Sequence, residues 1–121
     1  MIKVTNSLCK IKVLLLIIYS HSNIYDKMYY LQLSYINAHP DIDVYFCIND
    51  PKISKDIEIQ HNLIKFKQPE SYLGILNKTI KSLEYCFGLK KYDFVTRSNI
   101  STVWNLDLLY NHLMKVPKTN L

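Results

Sequence analysis

A near-continuous apolar run over residues 12–19 constrains the fold of this chain more than any other feature. Six consecutive apolar residues from Val13 to Ile18 lead into a polar stretch at residues 20–23. An unbroken apolar run of this length, bounded by polar residues, is typical of a central parallel strand covered on both faces. We therefore expect an α/β domain with a mostly parallel sheet and helices on both faces.

The segments after this strand alternate between helical and extended patterns. Apolar residues recur at helical spacing over about residues 26–38, and Pro40 is expected to end this helix. The members of the predicted apolar face are Ile24, Met28, Leu31 and Tyr35, with Tyr29, Leu33 and Ile36 beside them. Residues 43–48 read as a second short strand, closed by a turn at residues 49–51. Residues 57–66 suggest one strand or two short ones.

The clearest helical pattern follows a break at residues 68–71. Its predicted apolar face is Leu73, Leu76, Ile80, Leu83 and Phe87, and a second face carries Asn77, Lys78, Lys81 and Glu84. Gly88 is expected to stop this helix. Residues 92–96 then predict another central strand, and a last helix begins at a cap supplied by Asn105 or Asp107 and ends at Pro117.

Length and composition favour one folded domain over residues 1–121. Hydrophobic residues make up 49% and charged residues 21% of the chain, which argues against disorder. The net charge is +5, but the lysines are scattered and no helix-turn-helix, zinc-finger or RNP pattern is present. We therefore expect no nucleic-acid partner.

The cysteines and the N-terminus indicate a cytoplasmic protein. Cys9, Cys47 and Cys86 are widely spaced and lack the spacing of a zinc site, so we expect reduced and mostly buried thiols. The apolar run at residues 13–18 resembles a secretory signal only superficially, because it is at the short limit for a signal and too short to span a bilayer. We therefore expect no membrane span.

Polar residues collect where the predicted strands end. Parallel sheets bind ligands at the carboxyl ends of their strands, because loop amides and helix N-termini converge there. The predicted loops at this edge are residues 20–23, 49–50, 70–71 and 97–102. Asp41 and Asp43 form an Asp-x-Asp pattern that can hold a divalent cation, but they precede their strand and are expected at the opposite edge.

Arg97 is the strongest single candidate for a ligand contact. It is the only arginine among 15 basic residues, and its planar guanidinium binds phosphate or carboxylate through two hydrogen bonds. The alternative is that Arg97 pairs with a local carboxylate, either Asp93 or Asp107.

Two further side chains have both a ligand-binding and a structural interpretation. His21 can act as a base, but a single loop histidine is more often a surface residue. Lys78 can reach a phosphate from its helix, but it can equally be a solvated lysine beside Lys81 and Glu84. The chain has only two glycines, which excludes the glycine-rich phosphate loops, and it lacks the Gly-x-Ser-x-Gly turn of a serine nucleophile.

Residues 70–81 and 92–101 resemble a group of glycosyltransferases found in giant viruses and some microbes. The shared pattern is approximately Glu-Ser, Gly-Ile-Leu, Lys-Thr, and an aromatic strand that ends in Arg-x-Asn-x-Ser. In this chain it corresponds to Glu70-Ser71, Gly74-Ile75-Leu76, Lys78-Thr79 and then Arg97, Asn99 and Ser101. The resemblance extends over about residues 12–113 and corresponds to the N-terminal portion of these enzymes.

The resemblance implies a glycosyltransferase A fold, in which a Rossmann-like half binds a nucleotide sugar as the donor. Its expected contacts in this chain are Ser20, His21, Asp50, Glu70, Lys78, Arg97, Asn99 and Ser101. Arg97-Ser98-Asn99 stands where such enzymes carry Asp-x-Asp, which leaves the need for a divalent metal open. An arginine can neutralise the diphosphate leaving group directly.

The resemblance also implies that the part holding the sugar or protein acceptor and the catalytic base would follow Leu121. The isolated chain is then expected to bind a nucleotide sugar weakly and to transfer nothing. A viral origin would place it in the host cytoplasm or the virion. The alternative is a small non-catalytic α/β module that binds a nucleotide or another protein.

Overall fold

Five strands and three helices make up residues 10–116, the part of the chain that the computed structural model describes, apart from the side chains of residues 72 and 73. In chain order they are β1 (Val13–Ile18), α1 (Asn23–Leu33), β2 (Ile42–Asn49), β3 (Ile57–Gln60), β4 (Leu63–Phe66), α2 (Tyr72–Leu89), β5 (Phe94–Asn99) and α3 (Leu106–Met114). Cys9 and Pro117, which carried two of the sequence-based predictions, lie outside the described residues, as does the segment before residue 10.

The strands form one mostly parallel sheet in the order β3-β4-β2-β1-β5. β1 pairs in parallel with β2 and β5, β2 pairs in parallel with β4, and only β3 is antiparallel to its neighbour. Residues 57–66 thus form two short strands, which answers the question that the sequence left open. The α/β class with a mostly parallel sheet is confirmed, and this arrangement is compatible with a Rossmann-like domain.

The two faces of the sheet carry separate apolar clusters, because successive side chains of β1 point in opposite directions. Val13, Leu15 and Ile17 pack with residues of α1 and α3, whereas Leu14 and Leu16 pack with residues of α2. Every residue of β1 is buried. The prediction of a strand covered on both faces is therefore confirmed.

Helix α1 begins and ends earlier than predicted. The side chain of Ser22 accepts a hydrogen bond from the backbone N–H of Tyr25 and caps the helix, which ends at Leu33 instead of near residue 38. Part of its predicted apolar face is also wrong, because Ile24 and Leu31 are 64% and 65% exposed. The buried Gln32 instead donates from Nε2 to the carbonyl oxygen of Ile100 at 2.6 Å.

Helix α2 packs through a face that the sequence predicted only in part. Leu76, Ile80 and Phe87 are 60%, 45% and 52% exposed, whereas Lys78, Ser82 and Cys86 are fully buried. Of the other members of the predicted face, Leu83 is partly buried and packs against the apolar cluster on this side of the sheet, and the side chain of Leu73 is outside the description. Small residues and an ion-paired lysine therefore approach the sheet, and an apolar strip on α2 faces outward.

Gly88 does not stop α2. The helix continues to Leu89, and no described glycine has a positive φ. A C-terminal glycine stop requires the left-handed conformation. Lys90 is the C-cap that follows the helix, and its backbone N–H donates to the carbonyl oxygen of Cys86.

Strand β5 lies at the edge of the sheet, not in its centre, and it covers residues 94–99 instead of 92–96. Val95 is 41% exposed, as expected for a strand with one neighbour. Arg97, Ser98 and Asn99 therefore belong to the strand and not to the turn after it. In α3, Asn105 is the cap, since its side chain accepts from the N–H of Leu108.

The Asp-x-Asp pattern lies at the amino edge of the sheet, as predicted. Asp41 precedes β2 and its Oδ1 accepts from Lys12 Nζ at 2.9 Å. Asp43 Oδ2 accepts from Lys90 Nζ at 2.9 Å and from Tyr92 O–H at 2.6 Å. Both carboxylates therefore tie neighbouring segments together.

Candidate functional site

A crevice opens between the carboxyl ends of β1 and β5. The connection through α1 leads from β1 to β2 on one side, while β5 lies on the other side, so the strand order reverses at this point. Ligands of open parallel sheets bind at such a reversal. The crevice has a volume of about 200 Å³ and is lined by Ile18, Ser20, Tyr25, Ile75, Asn99, Ile100 and Ser101.

Three predicted site residues line this switch-point crevice. Ser20 follows β1, Asn99 is the last residue of β5, and Ser101 follows it. Asn99 pairs in register with Ile18, and the N–H of Ile100 donates to the carbonyl oxygen of Ile18 at 3.0 Å. The parallel pairing of β1 with β5 therefore brings together residues that are about eighty positions apart in the sequence.

Tyr25 is a lining residue that the sequence analysis missed. It lies in the first turn of α1, and this region was predicted to precede the helix. Once Ser22 is recognised as the cap, Tyr25 falls three residues later, beside the loop that contains Ser20. The sequence signal that could have placed Tyr25 in the helix was Ser22, because serine favours the N-cap position.

An ion pair between Lys78 and Glu70 holds Ser20 of the crevice in place. Lys78 Nζ donates to Glu70 Oε1 at 3.0 Å and Oε2 at 3.1 Å, and also to the carbonyl oxygen of Tyr19 at 2.9 Å. The same carboxylate accepts from Ser20 Oγ at 2.6 Å and from the backbone N–H of Asn49 at 2.7 Å. This network connects α2 to the carboxyl ends of β1 and β2.

Lys78 is therefore not the solvated lysine that the sequence allowed. Its side chain has 0% exposure, whereas the Glu70 side chain keeps 32%. An ammonium group enclosed in this way cannot contact a ligand in this arrangement. Its role in the structure is to hold Tyr19, Ser20 and Glu70 in place.

Arg97 borders the crevice from the same face of β5 as Asn99. It is exposed and lines a cavity of about 440 Å³ with Ile75, Leu76 and Thr79. Ile75 lines both this cavity and the switch-point crevice, so the two are adjacent. Residues two apart in a strand point to the same face, which places the Arg97 and Asn99 side chains side by side.

No ion pair connects Arg97 to the carboxylates proposed as its structural partners. Within residues 10–116, the ion pairs closer than 4.0 Å involve other side chains. Asp93 Oδ2 accepts from the backbone N–H of Lys12 at 2.8 Å. Asp107 lies in the first turn of α3, which packs on the opposite face of the sheet.

His21 and Asp50 are not part of the crevice. His21 Nδ1 lies 3.0 Å from Asp26 Oδ1 and lines a different cavity beside α1. Asp50 Oδ1 accepts from the N–H of Lys52 at 3.0 Å, and its own N–H donates to the carbonyl oxygen of Phe66 at 2.8 Å. Asp50 therefore forms the turn that closes β2.

The described residues offer neither a cluster of metal ligands nor a reactive thiol. Within residues 10–116 no group of three or more His, Cys, Asp or Glu side chains converges. Cys47 and Cys86 are free and buried, as expected, and burial raises the pKa of each thiol to about 11.

Comparisons of the chain with protein-family models, curated proteins and solved structures gave no match. In the described part of the chain, no helix is both long and apolar enough to cross a membrane.

Proposed function

We propose that this domain binds a nucleotide-diphosphate sugar in the switch-point crevice and forms the donor-binding part of a glycosyltransferase. The observation that carries the proposal is that Ser20, Asn99 and Ser101 line one crevice where the strand order reverses. The Ser101 hydroxyl and the Asn99 amide can donate to phosphate and ribose oxygens, while the Ser20 hydroxyl, which donates to Glu70, can accept from a ribose hydroxyl. The acceptor in this proposal is a sugar or a protein.

Arg97 supplies the charge that the diphosphate requires. Its guanidinium has no ion-pair partner among the described residues and lies beside Asn99 on β5. As the glycosidic bond to the donor breaks, negative charge accumulates on the diphosphate, and a fixed cation stabilises it. In this proposal the arginine fork fills the role that a carboxylate-bound cation fills elsewhere.

The Lys78–Glu70 pair pre-organises the crevice without contacting the donor. It holds the Tyr19 carbonyl and the Ser20 hydroxyl from one side and the Asn49 backbone from the other. Side chains that are held in place before binding lose less entropy when the ligand arrives. The network therefore favours donor binding indirectly, by holding the crevice residues in place, because the buried Lys78 ammonium cannot contact the donor itself.

A thermal-shift screen of nucleotide sugars tests this proposal. A ligand present at a hundred times its dissociation constant stabilises the folded state by about 2.7 kcal/mol. We expect at least one nucleotide sugar to raise the melting temperature, and Asn99→Ala to weaken its binding by about 1 kcal/mol. Asn37→Ala is the matched control, because Asn37 is exposed in the turn after α1. The proposal fails if no nucleotide sugar binds, or if both variants bind equally well.

One observation favours a non-catalytic interaction module as the second candidate. The exposed Leu76, Ile80 and Phe87 on α2 lie on the face of the sheet that also carries the exposed Val95 of the edge strand β5. Exposed apolar groups beside an unpaired strand edge are typical of protein-binding surfaces. A domain that binds no nucleotide sugar but associates with a protein through this surface would support this candidate.

A further inference from the structure

A second cavity lies on the other side of the β1–α1 junction. It has a volume of about 300 Å³, which is at the lower end of the range for ligand sites, and is bounded by α1 and by the turn between β3 and β4. Its lining includes Tyr19, His21, Asp26, Tyr29, Tyr30 and His61, and we call it the aromatic cavity.

Asp26 fixes the orientation of His21 in this cavity. The carboxylate oxygen Oδ1 lies 3.0 Å from His21 Nδ1 and also accepts a short hydrogen bond from the Tyr19 hydroxyl. A carboxylate can only accept, so Nδ1 carries the proton when the ring is neutral. The opposite nitrogen, Nε2, is then left as a hydrogen-bond acceptor. These bonds also lower the pKa of Asp26, with the Tyr19 bond as the largest cause.

Tyrosine rings line one wall beside these polar groups, and Tyr30 supplies most of its exposed aromatic surface because Tyr19 is only 3% exposed. Tyr19 and Tyr29 stack with their ring centroids 4.9 Å apart, and Tyr29 meets the edge of Phe46 at the same distance. Tyr30, which is tilted against Tyr29, is 70% exposed. Aromatic faces carry partial negative charge and attract the weakly positive C–H groups of a ligand.

The far wall adds a mixture of donors and acceptors. It contains His61, which has a positive φ of 55° in the two-residue turn, together with Gln60 and Lys65. The Asp26 carboxylate offsets the charge of the Lys65 ammonium, so the lining has no excess of positive charge that would select a phosphate. A purely apolar ligand would leave these polar groups unpaired. A sugar ring is compatible with both walls. Its hydroxyls can donate to and accept from the polar groups, and its C–H face can pack on tyrosine.

We propose that the aromatic cavity binds a carbohydrate, with His21 Nε2 accepting a hydrogen bond from a sugar hydroxyl and the exposed Tyr30 ring supporting the apolar face of the sugar. This binding does not depend on the crevice described above. Ser20 and Tyr25 line the donor crevice while His21 and Asp26 line the aromatic cavity, so one short junction separates the two ligands.

Saturation-transfer NMR with methyl glycosides of glucose, galactose, mannose and N-acetylglucosamine tests the carbohydrate site. We expect at least one glycoside to bind and to shift the ring resonances of His21 and His61. His21→Gln should weaken that binding about fivefold, the loss of one neutral hydrogen bond. Tyr30→Ala should also weaken it, and this variant keeps the fold because the ring is mostly exposed.

His112→Gln is the matched control, because His112 is exposed on α3, away from the cavity. The inference is overturned if none of the four glycosides binds, or if His21→Gln and His112→Gln bind equally well. Nucleotide-sugar binding is measured on the same samples. Glycoside binding without nucleotide-sugar binding would overturn the proposed function alone, and the reverse result would overturn the carbohydrate site alone.

Discussion

Lys78 Nζ contacts both carboxylate oxygens of Glu70, at 3.0 and 3.1 Å, from a side chain that has no exposed surface. The partner carboxylate keeps about a third of its surface exposed and also accepts from Ser20 and Asn49. Breaking a buried pair by removing one charge leaves the other uncompensated. Removal of the Glu70 charge is therefore expected to lower the free energy of unfolding more than removal of the Lys78 charge.

Glu70→Gln is expected to lower the free energy of unfolding by about 3 kcal/mol, because the buried Lys78 ammonium loses its counter-charge. Lys78→Met should cost less, since it replaces the buried charge by an apolar side chain of similar length and leaves Glu70 partly hydrated. Urea denaturation of both variants provides the measurement. Glu84→Gln changes an exposed residue on α2, the helix that carries Lys78. Its free energy of unfolding should stay within about 0.5 kcal/mol of that of the wild type. Equal stability of Glu70→Gln and Glu84→Gln would contradict a structural role for the pair.

Arg97→Lys is expected to weaken nucleotide-sugar binding by about 1.5 to 3 kcal/mol, the range for a hydrogen bond to a charged group. Lysine keeps the charge but cannot form two parallel bonds to a diphosphate. The melting temperature should change little, because Arg97 is exposed and none of the ion pairs in the described region includes it. Affinity and melting temperature are measured on the same sample. A loss of stability with unchanged affinity would remove Arg97 from the site.

The contact between Asp41 and Lys12 should make the free energy of unfolding depend on pH in the acidic range. The hydrogen bond from Lys12, followed by their charge attraction, lowers the pKa of Asp41 in the folded state. A lowered folded-state pKa gives a stabilising contribution that is present above the ordinary carboxyl pKa and is lost as pH falls through the folded value. Asp41→Asn should therefore reduce stability at pH 7 by about 1 kcal/mol or less and have a smaller effect near pH 2.

Urea denaturation at the two pH values measures this effect. Asp56→Asn is the control, because the exposed Asp56 makes none of the ion pairs found among the described residues. The same Asp41→Asn variant should bind nucleotide sugar within about twofold of the wild type, since Asp41 lies at the amino edge of the sheet. A pH-independent effect would mean that the Lys12 contact does not form.

The two glycines of α2 should respond to alanine in opposite ways. A Cβ at Gly74 would lie 2.8 Å from Asn49 Nδ2 and 3.0 Å from the Pro69 carbonyl oxygen, whereas a Cβ at Gly88 meets nothing within 4 Å. Gly74→Ala is expected to destabilise by about 1 to 3 kcal/mol through overpacking. Gly88→Ala should stabilise by about 0.5 to 1 kcal/mol, because alanine favours the helix. Thermal denaturation of both variants checks this, and a stabilising Gly74→Ala would contradict the close packing at Asn49.

Much of the fold could be predicted from local patterns. The unbroken apolar run at residues 13–18 required burial on both faces, and a strand inside a parallel sheet provides it. The alternation of strands and helices then placed the polar loops at one edge and Asp41 and Asp43 at the other. The same alternation predicts Ser20, Asn99 and Ser101 at the carboxyl edge, and the three residues line one crevice there.

The packing face of α2 and the position of β5 were decided only by the tertiary structure. Apolar periodicity predicts which helix face can be buried, but Leu76 and Ile80 remain exposed because α2 packs on the sheet through the face that carries Lys78, Ser82 and Cys86. Lys78 is buried because a carboxylate eight residues earlier and a carbonyl fifty-nine residues earlier converge on its ammonium. Burial of a charge depends on partners that only the folded chain brings together, and hydrophobicity along the sequence carries no record of them.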